Sequence, residues 1–205
     1  MAEFAQLTDM YPIMIPRLHG INTPILDQAL QEGLRTFCFD SEAFREELPP
    51  IDLEDDIIDY TLTPSYDCHV KRIANLWLRT ATDVTNDYDG TLQDPSLYEF
   101  TLPDALRLDL SIEPSSDITD GLVVEVVLVP YPIQSGTDTF SPEFINEWYE
   151  GIMYKAFHLL MAMPGERWTN TDLALYYENQ YKIRVTDAIA EVSLKNNTIL
   201  DGFDG

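Results

Sequence analysis

The sequence predicts an α+β chain: a helical bundle of about three main helices, an inserted small antiparallel β-sandwich or barrel, and a flexible C-terminal tail. Two observations carry this. Apolar residues recur at three- and four-residue steps in residues 22–47 and 141–194, but at steps near two in residues 51–132. Pro and Gly signals fall between these stretches and every ten residues or so within the middle one. Residues 1–50 and 138–195 then form a discontinuous helical domain, 51–137 an inserted β domain and 196–205 a tail. With 205 residues, 45% hydrophobic and 11% aromatic, the chain has the material for a real core.

The first twenty-one residues hold Pro12 and Pro16 among Met10, Tyr11, Ile13, Met14 and Ile15, so they read as a short arm packed on the body. A first helix starts near Asn22 or Thr23, with Pro24 suited to its first turn. Ile25, Leu26, Ala29, Leu30, Leu34, Phe37 and Cys38 give it one apolar face. It is expected to run to about Glu47 and stop before Pro49-Pro50.

In the middle, Leu106, Leu108, Leu110 and Ile112 alternate with polar residues, which describes a half-buried strand. Leu122 to Val129 is apolar except for Glu125, so it should be covered on both faces. Ile57 to Leu62, Cys68 to Arg79 and Tyr98 to Thr101 complete five expected strands. Ser141-Pro142-Glu143 then starts a second helix carrying Phe144, Trp148, Ile152, Ala156 and Leu160, ended by Pro164-Gly165. Thr169-Asn170-Thr171-Asp172 starts a third, whose apolar face is expected at Leu173, Tyr176, Tyr177, Tyr181, Val185, Ile189 and Val192.

Charge excludes several functions. Thirty-six acidic side chains stand against 12 basic ones, a formal net charge of −24. Tight binding to phosphate backbones needs many Lys and Arg, as does docking on anionic membranes. No apolar run reaches the roughly 20 residues of a membrane span. The first basic residue is Arg17, so no secretory signal is expected.

Catalytic, cofactor and metal signatures are not found in the sequence. Cys38 and Cys68 have no ligand spacing and read as two buried thiols, although their number allows a disulfide. His19, His69 and His158 stand apart; His158 reads as a hydrogen-bonded core residue. Asp87-Tyr88-Asp89-Gly90 resembles part of a calcium loop, but Thr85 and Ser96 occupy the positions that need acids, so an ordinary acidic turn is expected. No glycine loop or nucleophile elbow is present. The acids crowd into two runs, nine in residues 40–59 and ten in 83–120, as solvated faces do.

The second helix is apolar over more than one stripe. Trp148, Tyr149, Phe157, Met161 and Met163 are more than one small core needs, so one flank is a candidate partner interface. Trp168 in the following turn joins Trp148 and Tyr149 in that set. In the tail, Ile199, Leu200 and Phe203 are three close apolar anchors able to order on a partner.

The opening from Met10 to Cys38, the link Leu48-Pro49-Pro50-Ile51-Asp52-Leu53, and the hairpin Trp148-Tyr149-Glu150 to Pro164-Gly165 with Trp168-Thr169-Asn170 resemble the head-to-tail adaptor (head–tail connector) proteins of tailed phages. Gly33 stands where that family favours Ala. The resemblance implies a structural virion protein, made in the host cytoplasm and placed in the phage neck. Twelve copies would form a ring under the portal protein, extend the DNA channel, and receive the tail nozzle or next connector. DNA would pass without specific binding, since an acidic wall repels phosphates. The tail is expected to dock on the portal through Phe203. Two alternatives remain open from the residues: a phage-associated hydrolase using a carboxylate pair, and an acidic nucleic-acid-mimic regulatory protein.

Overall fold

A computed structural model describes residues 4–80, 84, 90–112, 114, 116–131 and 140–201. The chain divides into two compact units: residues 1–44 with 130–205, and residues 45–129.

The first unit is helical. Its arm is a run of short turns, 3₁₀ Leu7–Met10, α1 Tyr11–Met14 and 3₁₀ Ile15–Arg17, with each proline in a first turn where its missing N–H costs nothing. Met10, Met14 and Leu18 are fully buried beneath it. Helix α2 spans Thr23–Ser41, capped by Asn22, whose Oδ1 accepts from the Ile25 N–H at 3.1 Å. It ends on Glu42 in left-handed backbone (φ 53°), short of the expected Glu47. Helix α3 spans Pro142–Met161, capped by the Ser141 hydroxyl, which accepts from the Phe144 N–H at 3.2 Å. Helix α4 spans Thr171–Asp201, started by Asn170 Oδ1 accepting from the Leu173 N–H at 3.1 Å.

Phe37 of α2 centres the packing. Its ring lies 6.2 Å from Phe144, 5.6 Å from Trp148 and 6.3 Å from Tyr181, touching both other long helices. Two glycines let the backbones close in. A Cβ on Gly33 would sit 2.7 Å from the Ile152 carbonyl oxygen, and one on Gly151 would sit 2.5 Å from Phe37 Cε2. Helix α3 leaves helical backbone at Trp148 (φ −112°, ψ 15°), one turn before Gly151. Phe157 stacks on Tyr177 at 4.6 Å, joining α3 to α4.

The second unit is built on strands. Strand β8, Ile118–Pro130, is its spine and pairs antiparallel with β1 (Arg45–Glu47) and β2 (Ile51–Leu53). On its other side lies β4 (Cys68–Leu78), with β5 (Thr91–Leu92) beyond. A register shift between Ile51 and Leu53 breaks the regular pairing of β2 with β8. The separate sheet β3-β7-β6 joins Asp59–Thr61, Ala105–Leu108 and Tyr98–Thr101. Leu122 to Val129 is buried on both faces apart from Glu125. Glu125 has its own partners there, Arg45 at 3.5 Å and the Asn75 amide at 2.5 Å.

The expected fold class is corrected in three places. Four helices stand where about three were expected, because α1 fits its prolines into first turns. The β module is a curled antiparallel sheet forming a half-barrel, not a small closed sandwich or barrel. Its long β8 pairs with three other strands, so the unit curls around one spine instead of packing two matched layers. The C-terminal tail expected at 196–205 is helical backbone through Asp201, since no Gly or Pro interrupts α4 before Gly202.

Candidate functional site

Three of the expected interface residues serve the helical unit's own packing. Trp148 is half-buried against Phe37. Tyr149 stacks on Phe4 at 4.2 Å, where the Phe4 N–H also reaches Asn146 Oδ1 at 3.1 Å. Trp168 is buried, with no hydrogen-bond partner for its indole N–H among the described residues. Ile199 and Leu200 lie on the last turns of α4; their side chains and the whole of Phe203 fall outside the described residues. The acidic turn expected at 87–90 falls outside them too, apart from Gly90.

Polar links tie the helices at half-buried positions. The Tyr181 hydroxyl donates to Asp40 Oδ2 at 2.6 Å, joining α4 to α2, and burial and that carboxylate both push the phenol's pKa up. Arg184 of α4 pairs with Glu150 of α3. Arg17 lies 5.6 Å over the Phe157 ring and donates to the Tyr177 hydroxyl at 3.3 Å. The His158 ring meets the Ala174 carbonyl oxygen at 3.1 Å, a helix-to-helix tie rather than a ligand position.

Most described acids of the β unit are exposed or hold backbone; Glu125, half-buried between Arg45 and Asn75, is an exception. Residues 45–129 contain 19 acids against five bases, and the other unit 17 against seven. Asp94 Oδ1 accepts from the Ser96 N–H and Asp109 Oδ1 from the Ser111 N–H, each at 2.8 Å. The Ser96 N–H and hydroxyl hold Asp94, and the Ser111 hydroxyl and N–H hold Asp109, below the usual carboxylate range. Asp117 accepts from the Asp55 N–H at 2.8 Å, Asp52 from the Asp120 N–H at 2.9 Å, and Glu46 from the Ser65 N–H at 3.2 Å. With their carboxyls held low, Asp94 and Asp109 stay ionised near neutral pH.

A cavity of about 360 Å³ on the three-stranded sheet is lined by Ile58, Ser96, Tyr98, Glu99, Arg107 and Asp109 among others. Its cation, Arg107, is well exposed and lies 3.7 Å from Asp59. Among the described residues, the carboxyl held above its usual range is elsewhere. Glu147 of α3 is raised by burial and by its hydrogen bond with Glu191 of α4, while the Lys195 ammonium holds Glu191 down. This is an ion network between helices, and it is not in the cavity.

Cys38 and Cys68 are both buried and free. Burial pushes the Cys68 thiol up to about 12, so it carries no reactive thiolate. Among the described residues no group of three His, Cys, Asp or Glu side chains could hold a metal ion. No helix among them is long and apolar enough to cross a membrane.

Sequence reasoning misread the outer face of α4. Its buried side is Ala174, Tyr177, Tyr181 and Ala188, whereas Leu173, Leu175, Tyr176, Ile183, Ile189 and Leu194 face out. The small residues at 174 and 188 were the available signal, because a close helix contact selects alanine. No family model matches the chain, and no curated protein matches its sequence.

Proposed function

We propose that this chain is a non-enzymatic virion protein, a head-to-tail adaptor that forms a ring under the portal and extends the DNA channel. The observation that carries the reading is the charge of the β unit: 19 acids against five bases, with most of its described acids exposed or bonded to turns. Fixed negative charge on a rigid scaffold repels a passing phosphate backbone and gives it nowhere to stick. The resemblance of the opening segment and of the α3–α4 hairpin to connector proteins supplies the setting. In that setting the partners are the portal, a tail nozzle or next connector, and further copies of the chain.

The experiment is neutralisation. Glu47, Asp56, Asp67 and Glu99 are exposed carboxylates, and exchanging all four for their amides leaves the core untouched. The quadruple variant should melt like the parent and slow DNA packaging or ejection, with each single exchange nearly silent, because a field is summed over many charges. Complete loss of activity from one exchange would point to the hydrolase reading instead.

A further inference from the structure

Helix α4 is 31 residues long, about 46 Å at 1.5 Å per residue, and keeps one side on the helical unit. Its outer side holds six of the thirteen exposed large hydrophobic residues among the described part of the chain. They are ordered. Leu175, Lys182 and Ile189 recur every seven residues along one flank. Leu173, Asp187 and Leu194 lie along the opposite flank, again on a seven-residue spacing through Gln180. Between the flanks runs a seam of Tyr176, Asn179, Ile183, Thr186, Ala190 and Ser193, uncharged beyond Asp172 in the first turn.

Charge identifies the occupant. A chain of net −24 repels a second copy wherever acids face each other. Between residues 173 and 196 the α4 flanks carry one acid, Asp187, and one base, Lys182, on opposite sides; Asp201 follows on the Asp187 flank at the helix end. In parallel packed helices a residue on one flank meets the residue five positions later on its neighbour's other flank. That register sets Lys182 against Asp187 and Ile189 against Leu194 of the next copy. The two flanks differ, so each helix can take one neighbour on either side, which is the head-to-tail contact that closes rings.

We propose that α4 packs in parallel against α4 of a second copy of this chain, the Leu175–Lys182–Ile189 flank of one seated on the Leu173–Asp187–Leu194 flank of the next. This rests on the adaptor reading and names the contact between its ring neighbours. Within one chain Lys182 pairs with Glu178 at 2.9 Å and Asp187 with Arg184 at 3.2 Å, so a charge reversal also disturbs these local pairs. Rescue separates the two effects.

The test is sedimentation velocity of the full chain from about 0.05 to 0.5 M salt, a range that shortens the screening length from roughly 14 Å to 4 Å, together with loading onto isolated portal rings. The parent should associate more as salt screens its net charge. Lys182→Glu should weaken association about tenfold, the size of one lost cross-contact charge pair. Lys182→Glu with Asp187→Lys should restore it, and Ile189→Asp and Leu175→Asp should each abolish it with the melting temperature unchanged. Failure of the double reversal to restore association, or parent-like association of both aspartate variants, overturns the contact. Aspartate variants that still load the portal as full rings overturn the contact and leave the adaptor reading standing. A chain that associates through these flanks yet never binds a portal keeps the contact and overturns the adaptor reading.

Discussion

The two units use their side chains in opposite ways. The helical unit is organised by shape: one phenylalanine touching both other long helices, two glycines pressed under backbone or ring, and stacked aromatics between α3 and α4. The β unit is organised by a buried aliphatic strand, with carboxylates set around it as turn-holders and surface charge. Residues 45–129 carry a net −14 on 85 residues, against −10 on the remaining 120. In the proposed adaptor, assembly would therefore fall to the helices, whose outer faces can be apolar. Presenting charge would fall to the β unit, several of whose acids bond to their own unit's backbone.

Breaking the shape of the helical unit should have the largest effect. Phe37→Ala removes a ring with zero exposure at the three-helix junction and should cost about 3–5 kcal/mol, read as a shift of the urea midpoint. Gly33→Ala comes next. The residue that the resembling family favours would place its Cβ 2.7 Å from a backbone oxygen that cannot swing away, for a loss of about 1–3 kcal/mol. A neutral Gly33→Ala would show that α2 and α3 can separate at little cost, and would blur the contrast between the units.

Gly165 tests conformation apart from space. It adopts φ +83°, and among the described residues nothing lies within 4 Å of where a Cβ would sit. Gly165→Val should therefore lose about 1–2 kcal/mol through backbone strain alone, seen as a lowered melting temperature.

The smallest effect is in acid titration, where the lowered carboxyls of the β unit contrast in sign with Glu147 of the helical unit. Asp94 and Asp109 of the β unit have lowered carboxyl pKa values, so the stability they contribute is present above the ordinary carboxylate range and lost as pH falls through it. Glu147 is raised, so its contribution is present in acid and lost as pH rises. Glu147→Gln should thus melt slightly above the parent at pH 7 and match it near pH 4, while Asp94→Ala should melt slightly below the parent at pH 7 and approach it in acid. A gain for Glu147→Gln that persists unchanged in acid would contradict the assigned direction.

Helix starts were legible because they are local. Asn22, Ser141 and Asn170 each accept from an N–H three residues on, and the sequence displays those caps directly. Helix ends and short strands were not. Arg45–Glu47 has no strand signature, yet it pairs with Val127–Glu125 some eighty residues away, and that pairing ends the helical phase before Glu47. Thr91–Leu92 is two residues long and is defined only by its partner β4. Which helix positions are covered was not legible for the same reason. Tyr149 is covered by Phe4 from the far end of the chain, whereas Leu175 and Ile183 look like core positions until the helix is placed.

The central claim is that the acidic chain assembles on a portal and performs no chemistry there. Negative-stain imaging of the purified protein mixed with isolated phage portal rings tests this most directly. The account predicts an added ring of density on one face of the portal, coaxial with its channel, and particles of protein alone that stay small at low salt. Portal rings that remain bare at saturating protein would contradict it, as would large closed rings formed at low salt without any portal present.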